Sequence, residues 1–305
     1  MTTSIQAVQA SAPTPGSAGR RLLASIYQRK KLQLVLLLAA PGAWFVVLYL
    51  GSLLVLLVTA FWYLDPNTSS IVRSLTLQNF VTLVTEPVYR TIAVRTVTIA
   101  ALVTLTDAVI AFPIAFYMAR VAAPRPRAIL FMLVLLPLWS SYVVRVYAWR
   151  VILSPGGLLD WFFTTIGLPG LSPGFSDSSM WLVFSYLWLP YMILPIYAGL
   201  ERIPQSYFEA SADLGGRSWI TFRRIVLPLV LPALAAGSIF TFSLTLGDYI
   251  TPKLVSNSQF IGNVIYDSQG VSNNVPFAAA FAVVPIAIMG VYLLIARRLG
   301  AFDAL

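Results

Sequence analysis

The sequence predicts an all-α polytopic membrane protein with about six transmembrane helices, and three observations carry that expectation. Of the 305 residues 58% are hydrophobic and only 10% charged, too few polar groups to cover a soluble globule. The apolar residues gather into runs of about 20, the length an α-helix needs to cross hydrocarbon. The 20 Lys and Arg, which outnumber 11 Asp and Glu, cluster at alternate junctions between those runs. A net charge of +9 in a soluble chain would suggest nucleic acid, but among membrane spans it is an orientation signal, and no nucleic-acid partner is expected. Cysteine and histidine are both absent, which excludes disulfides, thiolate chemistry, imidazole catalysis and the usual zinc sites.

Residues 1–19 are rich in Ser, Ala, Pro, Thr and Gln and have no hydrophobic period. With the basic residues that follow, they read as a disordered cytoplasmic tail over 1–31, with no cleavable signal. The membrane domain then covers 32–299, and 300–305 is a short C-terminal tail. The first apolar run, 32–62, exceeds one crossing, so tilt or a kink near Pro41-Gly42 is expected. Residues 64–95 are mixed and hold a turn at Asp65-Pro66-Asn67 and a short amphipathic stretch around Asn79-Phe80. Further spans are expected at 96–119, 128–149, 180–200, 228–250 and 277–295. Between the third and fourth, Trp161, Phe162 and Phe163 fall in a short run bounded by Pro-Gly pairs, which suits a helix lying at the outer interface or one touching an external partner. Residues 253–276 read as a polar external loop.

Fourteen of the 20 cations fall on one side: Arg20, Arg21, Arg29, Lys30 and Lys31; Arg120, Arg125 and Arg127; Arg202, Arg217, Arg223 and Arg224; Arg297 and Arg298. The positive-inside rule makes that side cytoplasmic, and with it both termini and the loop 201–227.

That loop is the most polar stretch of the membrane domain, running Glu209-Ala210-Ser211-Ala212-Asp213-Leu214-Gly215-Gly216 and on to Leu227-Pro228. On a helix over 206–214, Glu209 and Asp213 share one face, where like charges four apart disfavour an isolated helix and a cationic partner would relieve them. Gly215-Gly216 permits a sharp bend, Ser218 is placed to cap a second helix, and Trp219, Phe222 and Val226 form one apolar face before Pro228 ends the element. The segment is either a docking element or a solvated loop containing a helix.

Ionisable groups at bilayer depth are costly, roughly 2.5–3.5 kcal/mol on insertion scales, and are usually buried and employed. Asp107 lies midway along the second span and Asp248 near the outer end of the fifth. They are candidates to replace water around ammonium groups, with Trp149, Tyr186, Trp188 and Tyr249 adding cation–π contacts. The alternatives are that Asp248 pairs with Arg145 to hold helices together and that the aromatics anchor the interface. Arg145 itself would suit an anionic solute. Pro113, Pro137, Pro190, Pro195, Pro228, Pro232 and Pro285 interrupt the backbone ladder of spans, as bending points for a moving pathway or as static packing.

The order Glu209-Ala210-small, Gly215, Phe222, Leu227-Pro228 resembles the coupling loop of permeases from ABC-type importers, with Ser211 where that family has Ala, a change expected to leave packing unaffected. The stretches from Leu136 to Trp149, from Leu189 to Tyr197 and Leu246-Gly247-Asp248-Tyr249-Ile250-Thr251-Pro252 are similar to the spermidine/putrescine branch of that family. The resemblance implies a type I importer-like permease of the bacterial inner membrane, working by alternating access. It implies that Glu209, Ala210, Asp213, Gly215, Phe222 and Pro228 form the element that docks on an ATP-binding subunit. It further implies two such subunits, which hold the ATP and Mg that this chain does not bind, a second homologous permease, and an external solute-binding protein. The expected solute is a polyamine or a similar small polar compound; the branch also takes opines, aminoethylphosphonate, thiamine and ferric ion. No phosphate-cradling Gly-x-x-x-x-Gly-Lys-Ser/Thr loop occurs, so the chain is not expected to be an enzyme. The rival from another class is an ion-coupled secondary transporter using Asp107 and Asp248 as its coupling site. A membrane-embedded hydrolase fares worse, since no His, Cys or paired carboxylates fall in the spans.

Overall fold

A computed structural model describes residues 30–301, and the expectations for the tail 1–29 and for 302–305 lie outside them. The chain divides into two units, residues 1–56 and 57–305. In the first, α1 (Lys30–Trp44) runs through Pro41 without ending and passes into a wide π turn at Phe45–Leu50, and α2 (Gly51–Thr59) follows. The apolar run is therefore opened a turn beyond Pro41-Gly42.

The second unit begins with an unforeseen hairpin, β1 (Tyr63–Leu64) antiparallel to β2 (Ile71–Val72). Its turn is closed by Asp65, whose carboxylate accepts from Asn67 N at 2.9 Å and Thr68 Oγ1 at 3.0 Å. These bonds, the Asn67 N–H first, hold the Asp65 carboxyl below its ordinary pKa. After α3 (Gln78–Thr85) comes α4 (Pro87–Phe116), started by a proline whose missing N–H costs nothing in a first helical turn. A π turn at Tyr117–Val121 extends it, so the second helix is longer than the expected 96–119.

The third expected span, 128–149, is not one straight helix. α5 (Pro124–Trp139) stops where Ser140 and Ser141 turn extended, and α6 (Tyr142–Leu153) leaves with α7 (Leu158–Thr165) at 96° to it. Serine hydroxyls compete with the helix ladder, and Ser140 spends both its N–H and its Oγ on Pro137 O. α8 (Asp177–Glu201) is capped by Ser176 Oγ, which accepts from Ser179 N at 3.2 Å. Then come α9 (Gln205–Asp213), α10 (Ser218–Thr221), a π turn at Phe222–Val226 and α11 (Leu227–Gly247). Residues 253–276, expected as a loop, are mostly helical: α12 (Ile250–Val255) and α13 (Ile261–Gly270) precede α14 (Val275–Arg298).

Among the described residues five helical stretches are long and apolar enough to cross a membrane, Leu37–Thr59, Pro87–Val121, Asp177–Glu201, Ser218–Gly247 and Val275–Arg298, and a sixth if the bent pair is one span. Within the second unit α4, α8 and α11 pack on one another. Small residues bring them close: a Cβ on Gly199 would lie 2.5 Å from that of Ala233, and one on Gly237 2.9 Å from Met192 Sδ. α4 and α8 run in parallel, with Arg95 beside Asp177 at one end and Arg120 on the Leu200 carbonyl at the other. α11 runs back between them, so one end of the bundle carries residues 201–226 and the other carries Asp248.

Candidate functional site

The polar segment forms a compact helix–turn–helix at one end of this bundle. Glu209, Ala210 and Asp213 are exposed on α9, and among the described residues neither carboxylate has an ion-pair partner. Gly215 makes the bend with φ +72°, a region closed to most side chains. Ser211 is 8% exposed, and its hydroxyl lies 2.7 Å from Thr221 Oγ1 while its carbonyl accepts from Gly216 N at 2.8 Å. The serine is thus more than a tolerated small residue: it ties α9 to α10. Ser218 does not cap the second helix; Arg217 occupies the cap position and makes no side-chain bond. Pro228 does not end it either, because the π turn at Phe222–Val226 loosens the ladder just where proline supplies no donor, and the helix continues into α11.

Rings and one arginine join this segment to the bundle. Phe222 meets Phe112 of α4 edge-on at 5.3 Å and stacks on Trp219, which is 67% exposed. The Arg120 guanidinium lies 4.8 Å over the Phe208 ring and donates to the carbonyls of Leu200 and Ile203, the latter at 2.5 Å. Arg120 therefore holds the end of α8 and the start of the polar segment together. Sequence reading counted it only as a charge, because the carbonyls it reaches lie 80 and 83 positions later in the chain. Beneath α9 lies a groove of about 410 Å³, lined among others by Tyr207, Leu214, Ile220 and Arg224.

At the opposite end, Asp248 is not free and does not pair with Arg145. Its carboxylate accepts from the N–H of Ile250 at 2.8 Å and of Thr251 at 3.4 Å, from Thr251 Oγ1 at 2.9 Å, and from the Tyr142 hydroxyl. Short-range donors won because the chain turns sharply after Gly247 and presents its own amides to the carboxylate. Gly262 lets this joint close, since a Cβ there would lie 2.4 Å from Asp248 O. Asp248 thus fastens α11, α12 and, through Tyr142, the bent α6. Tyr142 was missed because a tyrosine five residues beyond the Leu136-Pro137 pair carries no sequence signal of its partner.

Among the described residues, Arg145 has Nε and Nη1 buried without a hydrogen-bond partner. Asp107 is fully buried, and neither of its oxygens has one. Three of the expected aromatic residues pack against other rings: Trp188, 7% exposed, stacks on Tyr142 at 5.8 Å, and Trp149 tilts against Tyr186 at 5.2 Å. Tyr249 stands apart, stacked on Tyr266 at 4.6 Å. Among the described residues no cluster of acidic side chains could hold a metal ion.

Residues 100–302 match the model of the family described as binding-protein-dependent transport system inner membrane component. The chain is 48% identical over 288 residues to the inner membrane ABC transporter permease protein YdcU of Escherichia coli K12, covering 90% of this chain and 92% of that one. It is 28% identical over 272 residues to the spermidine/putrescine transport system permease protein PotB of Salmonella typhimurium LT2, covering 88% and 93%. In fold it is similar to a chain of a bacterial ABC transporter involved in the import of the acidic polysaccharide alginate, with TM-score 0.70, 20% identity, and coverage of 92% and 98%.

Proposed function

This chain belongs to the family of binding-protein-dependent transport system inner membrane components, a non-catalytic permease of ABC type, and from that premise we propose its solute, partners and working cycle. It moves a polyamine or a similar small polar solute across the bacterial inner membrane, with both termini cytoplasmic. The likeness to PotB supports the solute class, and the distribution of Lys and Arg supports the orientation. The partners are two ATP-binding subunits, which hold ATP and Mg, a second homologous permease, and an external solute-binding protein.

The observation that carries the reading is the exposed helix–turn–helix at 205–226, with Glu209 and Asp213 at its surface, Ser211 tying its two helices together, and Arg120 and Phe222 fixing its underside to the spans. A rigid element of this kind transmits displacement. When nucleotide closes the cleft of the ATP-binding subunit, α9 moves with it. Arg120 carries that movement to the end of α8, and Phe222 carries it to α4. The far ends of α6 and α11, joined through Tyr142 and Asp248, then separate to admit the solute. Asp107, an unpartnered carboxyl within the span, is the group an ammonium would reach once the helices part.

The test is uptake of labelled putrescine and spermidine into vesicles holding the whole complex, with ATP inside. Uptake should require ATP and binding protein, survive collapse of ion gradients, and disappear in Gly215→Trp. Uptake that survives ATP depletion and collapses with a sodium or proton gradient would contradict it.

A further inference from the structure

Two adjoining grooves at the arginine-rich end of the bundle have no role in the cycle just described. The groove of about 410 Å³ beneath α9 and a second of about 330 Å³, between the end of α8 and the start of α11, share Tyr207 as a common wall. Gly199, Arg202, Leu229, Pro232 and Ala233 line the second. Ile225 of the first groove is followed at spacings of four and three by Leu229 and Pro232 of the second, so one apolar stripe runs from the polar segment into the span. Its floor is the close approach of α8 and α11 at Gly199 and Ala233. Each groove has one charged side chain in its lining, and both are exposed arginines, Arg224 and Arg202. No carboxylate lines either one. Glu201 lies 3.8 Å from Arg127, and Glu209 and Asp213 fall on a different face of α9 from Tyr207, Ala210 and Leu214.

We propose that this furrow seats an anionic phospholipid of the leaflet on that side, with its phosphate at Arg202 and Arg224 on either side of Tyr207 and an acyl chain along Leu229 and Pro232. Basic pockets between helices draw acidic headgroups, and tyrosine is at home at headgroup level. Tyr207 and Leu229, 49% and 47% exposed, are the surfaces such a lipid covers. A free phosphate uses the arginines alone and leaves the apolar stripe bare. A phospholipid satisfies both ends, and it bridges the two helix ends from which the polar segment hangs. The inference needs α8 and α11 to cross the bilayer and is independent of the solute and the ATPase assigned above.

The test is photolabelling of the assembled transporter in phosphatidylcholine vesicles. A trace of phosphatidylglycerol or, separately, of phosphatidylcholine carries a diazirine on one acyl chain, and labelled peptides are mapped by mass. Phosphatidylglycerol should label residues 199–233 of this chain. Arg202→Gln and Arg224→Gln should each lower that labelling about fivefold, and together about twenty-five-fold, as expected for cations at a membrane surface. Arg202→Lys with Arg224→Lys should keep it, because the charge stays; loss in that pair too would trace the effect to packing and overturn the site. Excess soluble glycerol phosphate should leave the labelling unchanged, and competition by it would make this a free-phosphate site and overturn the lipid. Equal labelling by phosphatidylcholine, labelling indifferent to both Gln substitutions, or no label within 199–233 because a partner subunit covers the furrow, would each overturn the proposal.

Discussion

Three carboxylates in this chain have three different fates, decided by what surrounds each. Asp248 is saturated by short-range donors, so Tyr142→Phe removes one bond and should cost about 1 kcal/mol, whereas Asp248→Ala strands the remaining donors and should cost about 2–4 kcal/mol, both read as shifts in denaturation midpoint of the detergent-solubilised chain. Asp107 is the reverse case, buried with no bond to lose. Asp107→Leu should leave the fold as stable or raise its stability by about 1–3 kcal/mol, while uptake falls; a clear loss of stability would mean that a partner for this carboxyl exists. Asp65, exposed at the hairpin turn, has its carboxyl pKa depressed by Asn67 N–H and Thr68. A depressed acid stabilises above its unfolded value and loses that contribution as pH falls through the folded one, so the protection factor of the Asn67 amide, its exchange rate relative to the intrinsic rate at the same pH, should fall below about pH 4 and hold steady from pH 5 to 8. Positions of these carboxylates along the spans were legible in the sequence; their partners were not, because the competitors for Asp248 were its own following amides and a tyrosine 106 positions earlier.

At the level of elements, the places where the helices depart from the apolar runs share a cause. Where proline or serine weakens the ladder, the chain chose among three outcomes that hydropathy does not separate: a π turn in a continuous helix at Phe222–Val226, a break and a 96° turn at Ser140-Ser141, or uninterrupted helix through Pro190 and Pro195 of α8. The helices α12 and α13 were read as loop since each is short and polar, and what orders them is packing, through Phe260, Ile261 and Val264 in buried clusters. In the polar segment, the bend at Gly215-Gly216 follows from glycine alone, but the tie from Ser211 to Thr221 and the hold of Arg120 need three dimensions. Arg120→Ala should leave membrane insertion and complex assembly intact while lowering solute-stimulated ATPase activity at least about tenfold, equivalent to about 1.4 kcal/mol of coupling; unchanged stimulation would remove Arg120 from the coupling path.

For the molecule as a whole, composition and charge placement decided the class, and motif order decided the family, before any contact was known. Solute identity is the least legible property, because no motif in the sequence carries it and a single buried group such as Asp107 does not name a ligand. The central claim is that a separate ATPase drives this chain through the segment 205–226. The most direct measurement is the ATPase rate of the reconstituted complex with and without solute-loaded binding protein, for the wild-type chain and for Glu209→Lys. The account expects stimulation in the wild type and none in Glu209→Lys, with the variant still inserted in the membrane. Equal stimulation in both, or no association of an ATP-binding subunit with the wild-type chain, would contradict it.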